Sequence, residues 1–153
     1  MKSRTLTFLP EIERIIAKCS YCSLAMVDAA NKPYVINMNF GYRDKTVYFH
    51  CAPTGKKIDI LKNNPHVSVG FSCDHELRFQ NSDVACSYSM KYRSVLGSGE
   101  VEFVTDTREK VDALDCIMRQ YTESDYRYSD PAIENVCVFK VKLDTIEGRA
   151  YGY

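Results

Sequence analysis

The amino-acid sequence predicts a mainly β protein with peripheral helices, built as a barrel of six or so antiparallel strands. Three observations carry that expectation. Short apolar or alternating runs recur between turn residues, the helical runs are few and short, and strands without long helical cover lose their exposed edges by closing on one another. The 153 residues suit one domain over 1–153.

Residues 11–18 place Ile12, Ile15 and Ile16 at helical spacing, and Pro10 suits a first helical turn. Residues 24–28, 33–42 and 46–51 read as strands joined by tight turns at 29–32 and 43–45. A two-turn helix over 55–63 carries Ile58 and Leu61 and stops before Pro65, which disfavours helical geometry in Asn64. Strand character returns at 67–71 and again over 92–104, where Val95, Gly97, Gly99, Val101 and Phe103 share a face. Two glycines on one face predict a close backbone approach. Asp106 with Glu109 forms a capping box, opening a helix with Val111, Leu114, Met118 and Tyr121 along one side. The last strand covers 136–146, while 73–90 and 122–135 read as loops.

Composition narrows the function. Hydrophobic residues make up 45% and charged residues 26%, the balance of a folded globular chain and not of a disordered one. Twenty Lys and Arg against twenty Asp and Glu leave no basic field for a phosphate backbone, so nucleic acid is not an expected partner. No run approaches the roughly 18 apolar residues of a membrane span, and a polar start followed by Glu11, Glu13 and Arg14 is unlike a signal peptide. A cytoplasmic protein is expected. Seven cysteines, an odd number spread over strands and helices, read as reduced thiols. Cys19 and Cys22 form a lone C-x-x-C without a second pair at zinc spacing, Cys73, Asp74 and His75 have no partner motif, and no metal site is expected.

Some residues break local rules. Ile36, Met38 and Phe40 point one way while Asn37 and Asn39 point the other, and asparagine is disfavoured in strands. The pair either faces water or offers donors and acceptors to a polar ligand. Lys56 and Lys57 follow Thr54 and Gly55 at the start of a helix, where the dipole favours anions. The two cations are either solvated or, with free backbone N–H groups and the Thr54 hydroxyl at the cap, grip a phosphate. His50 ends the preceding strand beside that turn.

These motifs, in this order, resemble the flavin-binding split-barrel proteins related to pyridoxamine 5'-phosphate oxidase, and among them the nitroimidazole-resistance (Nim-type) reductases. The resemblance runs through Leu24-Ala25-Met26-Val27-Asp28, residues 33–42, Val47-Tyr48-Phe49-His50-Cys51-Ala52, residues 55–61, Asn64-Pro65-His66-Val67 and residues 92–99. It implies a six-stranded split barrel that forms a homodimer and binds FMN at the subunit interface. The implied cofactor contacts are Asn37, Met38 and Asn39 beside the ring, His50 and Cys51 along the ribityl chain and ring, Lys56 and Lys57 on the phosphate, and Tyr92 and Ser94 from a neighbouring strand. His50 is the implied catalytic residue. Residues 140–153 lack the Trp and Arg-rich tail of the oxidase itself, which argues against vitamin B6 oxidation.

The resemblance thus implies an FMN-dependent oxidoreductase that passes electrons from a small-molecule donor to a small aromatic, nitroaromatic or quinone-like acceptor. The alternatives are a flavin- or haem-binding protein of the same fold without robust turnover, an oxidase like the B6 enzyme, and a cofactor-free structural dimer.

Overall fold

The structure, a computed structural model, describes residues 2–153. Its frame is one antiparallel sheet of eight strands curled into a split barrel, in the order β3-β2-β6-β7-β8-β5-β4, with β1 on the free edge of β8. The elements are β1 (Ser3–Leu6), α1 (Leu9–Lys18), β2 (Cys22–Val27), β3 (Pro33–Met38), β4 (Gly41–Arg43), β5 (Thr46–Cys51) and α2 (Lys56–Asn63). They continue with β6 (His66–Arg78), β7 (Ser89–Val104), α3 (Thr107–Arg119), α4 (Asp130–Asn135) and β8 (Cys137–Tyr151).

The mainly β split barrel agrees with expectation, but its strands number eight and not six. Two departures account for the difference. The run 33–42 is interrupted after Met38, and the Phe40 N–H donates to the Tyr121 hydroxyl (3.0 Å) from the end of α3. The other is β1, exposed at three of its four positions and so without a periodic signal; it forms because the second half of β8 offers an open edge. The longest strands also outrun their expected ends. β6 and β7 continue as a two-stranded arm into residues whose sequence pattern reads as loop, with Leu77 opposite Met90 and Arg78 opposite Ser89. β8 reaches Tyr151 because β7 and β1 flank its second half.

Alternation along the strands sends one face inward. Phe40, Phe49, Phe71 and Phe139 are fully buried at the centre, with Phe40 edge-on to Phe71 and Phe49 stacked on Phe139, both at 5.0 Å. Ile12, Ile15 and Ile16 of α1 close one side of this core. A smaller cluster of Ala113, Leu114, Ile117, Ile133 and Val138 lies under α3 and α4. At Gly99 an added Cβ would collide with the Lys142 carbonyl on β8, the close approach that the glycine pair predicts. Asp106 caps α3 by accepting from the N–H groups of Arg108 and Glu109, both at 3.0 Å. Its replacement by Ala is expected to cost about 1 kcal/mol of stability, read as a lower urea midpoint at unchanged slope.

Candidate functional site

The ends of β3 and β5 and the start of α2 converge on an open groove of about 580 Å³. Asn37, Met38, Asn39, His50, Cys51, Ala52 and Lys57 line it, together with Tyr21. β5 brings His50 and Cys51 because its buried residues Val47 and Phe49 pair in register with Val141 and Phe139 of β8, which fixes where the strand ends. β3 brings Asn37, and Asn39 follows one residue past its end, with Met38 buried between them and Phe40 buried after them. Asn37 is not simply solvated: its carbonyl oxygen accepts from the Ser23 hydroxyl at 2.9 Å, which leaves the amide N–H groups as its donors.

The turn into α2 is shaped for an anion. Gly55 is the N-cap, with φ 128° and ψ 171°, a conformation that side chains exclude, although an added Cβ would meet nothing within 4 Å. The cap is therefore Gly55 and not the Thr54 hydroxyl, and no side chain satisfies the first turn. The first intrahelical bond runs from the Asp59 N–H to the Gly55 carbonyl (3.1 Å), so the N–H groups of Lys56, Lys57 and Ile58 precede it without helical partners. Lys57 is the only charged side chain lining the groove among the described residues, and it forms no salt bridge there.

The charge of Lys57 is felt by its neighbours. His50 is exposed to solvent, yet the protein packed around its ring, and after it the ammonium of Lys57, push the imidazole below its ordinary range. Burial pushes the Cys51 thiol up to about 11 against the pull of Lys57, with Cys137 across the ladder adding to the rise. His50 is therefore uncharged at neutral pH. Because its folded-state value lies below the unfolded one, stability is complete above the unfolded value near 6.5 and is lost as pH falls through the folded value. The His50 Cε1–H resonance is expected to titrate below about 6.5. In Lys57→Met the midpoint should rise only part of the way back, since burial is the larger cause. A midpoint above 6.5 would contradict this environment.

Comparison with known proteins places the chain. Residues 10–150 match the family described as pyridoxamine 5'-phosphate oxidase. The chain belongs to that family. A solved structure from Bacteroides thetaiotaomicron VPI-5482, a candidate 5-nitroimidazole antibiotic resistance protein, is 42% identical with a TM-score of 0.88, covering 97% of this chain and 87% of the other. The fold recurs in an FAD-binding protein of Mesorhizobium loti at 24% identity and TM-score 0.71, covering 99% of this chain and 100% of the other. It recurs again in an FAD- and haem-binding protein of Mycobacterium smegmatis at 13% identity and TM-score 0.84, covering 97% of this chain and 74% of the other. Curated protein sequences give no match. Among the described residues no helix is long and apolar enough to cross a membrane.

Not all the residues singled out from the family resemblance lie together. Six of them, Asn37, Met38, Asn39, His50, Cys51 and Lys57, share the groove. Lys56 is turned away, its ammonium 4.6 Å from the centre of the Tyr34 ring. Ser94 lines an adjoining groove that shares Tyr21 with the first. Tyr92 stacks on Tyr151 at 5.8 Å, away from both. Sequence reasoning missed Tyr21, an aromatic 55% exposed at the mouth of β2. The turn that presents Tyr21 is held by Gln120, the C-cap of α3, whose amide donates to the carbonyls of Ala17 (3.2 Å) and Cys19 (3.0 Å). Its one sequence signal is a large exposed aromatic between two buried cysteines. Cys19 and Cys22 themselves are buried thiols, each pushed up to about 12 by burial, and they donate to the carbonyls of Ile15 and Met38.

Proposed function

We propose that the protein is an FMN-dependent oxidoreductase that reduces small aromatic, nitroaromatic or quinone-like acceptors, and that it works as a homodimer in the cytoplasm. The observation that carries the reading is the uncapped first turn of α2, where Gly55 and three N–H groups without helical partners stand beside Lys57, which forms no salt bridge and lines a groove without carboxylates. That donor set fits a phosphate. The rest of the groove fits a flavin: a half-buried strand edge, the amides of Asn37 and Asn39, and the exposed ring of Tyr21. Likeness to the Bacteroides protein supports the nitroaromatic class of acceptor.

FMN, when bound, supplies transfer of an electron pair from a small-molecule donor to the acceptor. Lys57 and the α2 turn would hold the phosphate, and the end of β3 would support the ring. His50, uncharged at neutral pH, keeps a proton on its imidazole within the same groove and is the catalytic residue of this reading. Ser94 would meet the cofactor from the adjoining groove, whereas Tyr92, stacked on Tyr151, stands outside both grooves of this chain. The arm of β6 and β7 supports the dimer, since Leu77, Phe79, Val84, Tyr88 and Met90 are 58%, 52%, 40%, 38% and 44% exposed on it.

The test is the visible spectrum of purified protein, taken again after adding FMN and desalting. Retained bands near about 375 and 450 nm, bleached by a reduced nicotinamide or dithionite and restored by the acceptor, are expected. Protein that stays colourless overturns the reading, and a Soret band replaces the flavin with haem. His50→Ala is expected to retain FMN and to slow turnover by roughly 100-fold or more. Loss of FMN at the same substitution would make His50 a binding residue instead.

A further inference from the structure

The pairing of β6 with β7 slips at one place. Cys73 faces Arg93 and Glu76 faces Lys91, so Asp74 and His75 stand against Tyr92 alone. This is a β-bulge, and Asp74 takes the left-handed conformation within it, with φ 55°. The extra residue shifts the alternation, so that His75 returns to the side of Ser72 and its Nε2 lies 2.7 Å from the Ser72 hydroxyl.

Several contacts hold this conformation, which costs roughly 1 kcal/mol in a residue other than glycine. The Asp74 carboxylate pairs with Lys18 (3.1 Å) and Arg93 (2.6 Å). Its carbonyl accepts from the Tyr153 hydroxyl at 2.7 Å. The Tyr153 ring in turn lies 3.7 Å from the Arg93 guanidinium and 4.1 Å from the Lys91 ammonium. Tyr153 thus clamps the bulge that aims His75.

Ser72 and His75 open into the groove that adjoins the flavin groove. It has a volume of about 390 Å³, and its lining includes Tyr21, Ser23, Ser94 and Leu96. Tyr21 and Leu96, 55% and 61% exposed, give it apolar surface that includes one aromatic ring. The Ser72 hydroxyl proton has only a long alternative partner, the Arg93 carbonyl at 3.4 Å, and can turn to a ligand oxygen. No carboxylate, lysine or arginine lines the groove among the described residues. Such a surface suits an uncharged planar ring that carries hydrogen-bond-accepting oxygens.

We propose that Ser72 and His75 are the polar end of an acceptor subsite, which binds a small planar aromatic by its nitro or quinone oxygens beside the flavin groove; this rests on the oxidoreductase reading above. The test uses oxidised, FMN-loaded protein without an electron donor, with 2-methyl-5-nitroimidazole and menadione as separate probes. At least one probe is expected to shift the His75 Cε1–H resonance and leave that of His66 in place, and the probe that shifts it at the lower concentration identifies the acceptor class. Ser72→Ala and His75→Ala should each raise the probe Kd, and KM in turnover, by roughly three- to tenfold. His75→Gln should recover part of the loss, and FMN affinity should stay unchanged in all three. Unmoved resonances, or a KM indifferent to the substitutions, overturn the subsite. The titration is repeated on flavin-free protein: a His75 shift there, in protein that cannot hold FMN, supports the subsite while the flavin reading fails.

Discussion

Lys57→Ala weakens FMN binding by roughly ten- to hundredfold, and Lys56→Ala by less than about threefold, in the expected outcome. The two lysines are adjacent in sequence and look equivalent there. In the structure only Lys57 lines the groove, where its charge reaches His50 and Cys51, while Lys56 spends its ammonium on the Tyr34 ring. A charge-assisted hydrogen bond to a phosphate is stronger than a neutral one, and Lys57 has no carboxylate in the groove to compete for it. Titration of each variant with FMN and with riboflavin separates the phosphate from the ring. Riboflavin has no phosphate, so its affinity should survive Lys57→Ala. Equal losses for both lysines, or an equal loss with riboflavin, would remove Lys57 from the phosphate site. Raising the salt concentration should narrow the gap between wild type and Lys57→Ala, because screening acts on the same interaction.

The helix-dipole conflict at residues 56 and 57 was legible because it is local: a first turn, two cations and a glycine lie within four residues. The same holds for the helix cap at Asp106 and for the glycines at 97 and 99, which announce a crowded face without naming the strand that crowds it. What the sequence hid is non-local. β1 has no periodicity of its own and exists because β8 has an edge to spare. The break in the run 33–42 is marked by a hydroxyl 81 residues further on. Tyr21 belongs to the site because Gln120, about a hundred residues away, holds the turn that carries it. The bulge at Asp74 is invisible for the same reason: its partners Lys18, Arg93 and Tyr153 come from three other parts of the chain. Alternation read from 67 to 71 and resumed at 92 could not show that His75 turns back onto Ser72.

Phe49→Ala is the substitution expected to cost most in stability, about 3–5 kcal/mol, a large share of the roughly 5–15 kcal/mol that holds a domain folded. Phe49 is fully buried and stacks on Phe139 at 5.0 Å, and Phe139 also meets Phe103 at 6.1 Å. Removing the ring opens a cavity between β5 and β8, one residue before His50. Two consequences follow from that position. The urea midpoint should drop at an unchanged slope, because the native state stays compact. Bound FMN should also restore less stability than in wild type. A ligand at a hundred times its Kd adds about 2.7 kcal/mol to any protein whose site is intact, and a loosened β5 end lowers the affinity behind that gain. Phe103→Ala is the control, since Phe103 meets the same ring from β7, away from the groove. It should lose stability while keeping the full FMN increment. If Phe49→Ala keeps the full increment as well, then the register between β5 and β8, and not the packing of Phe49, is what positions His50 and Cys51.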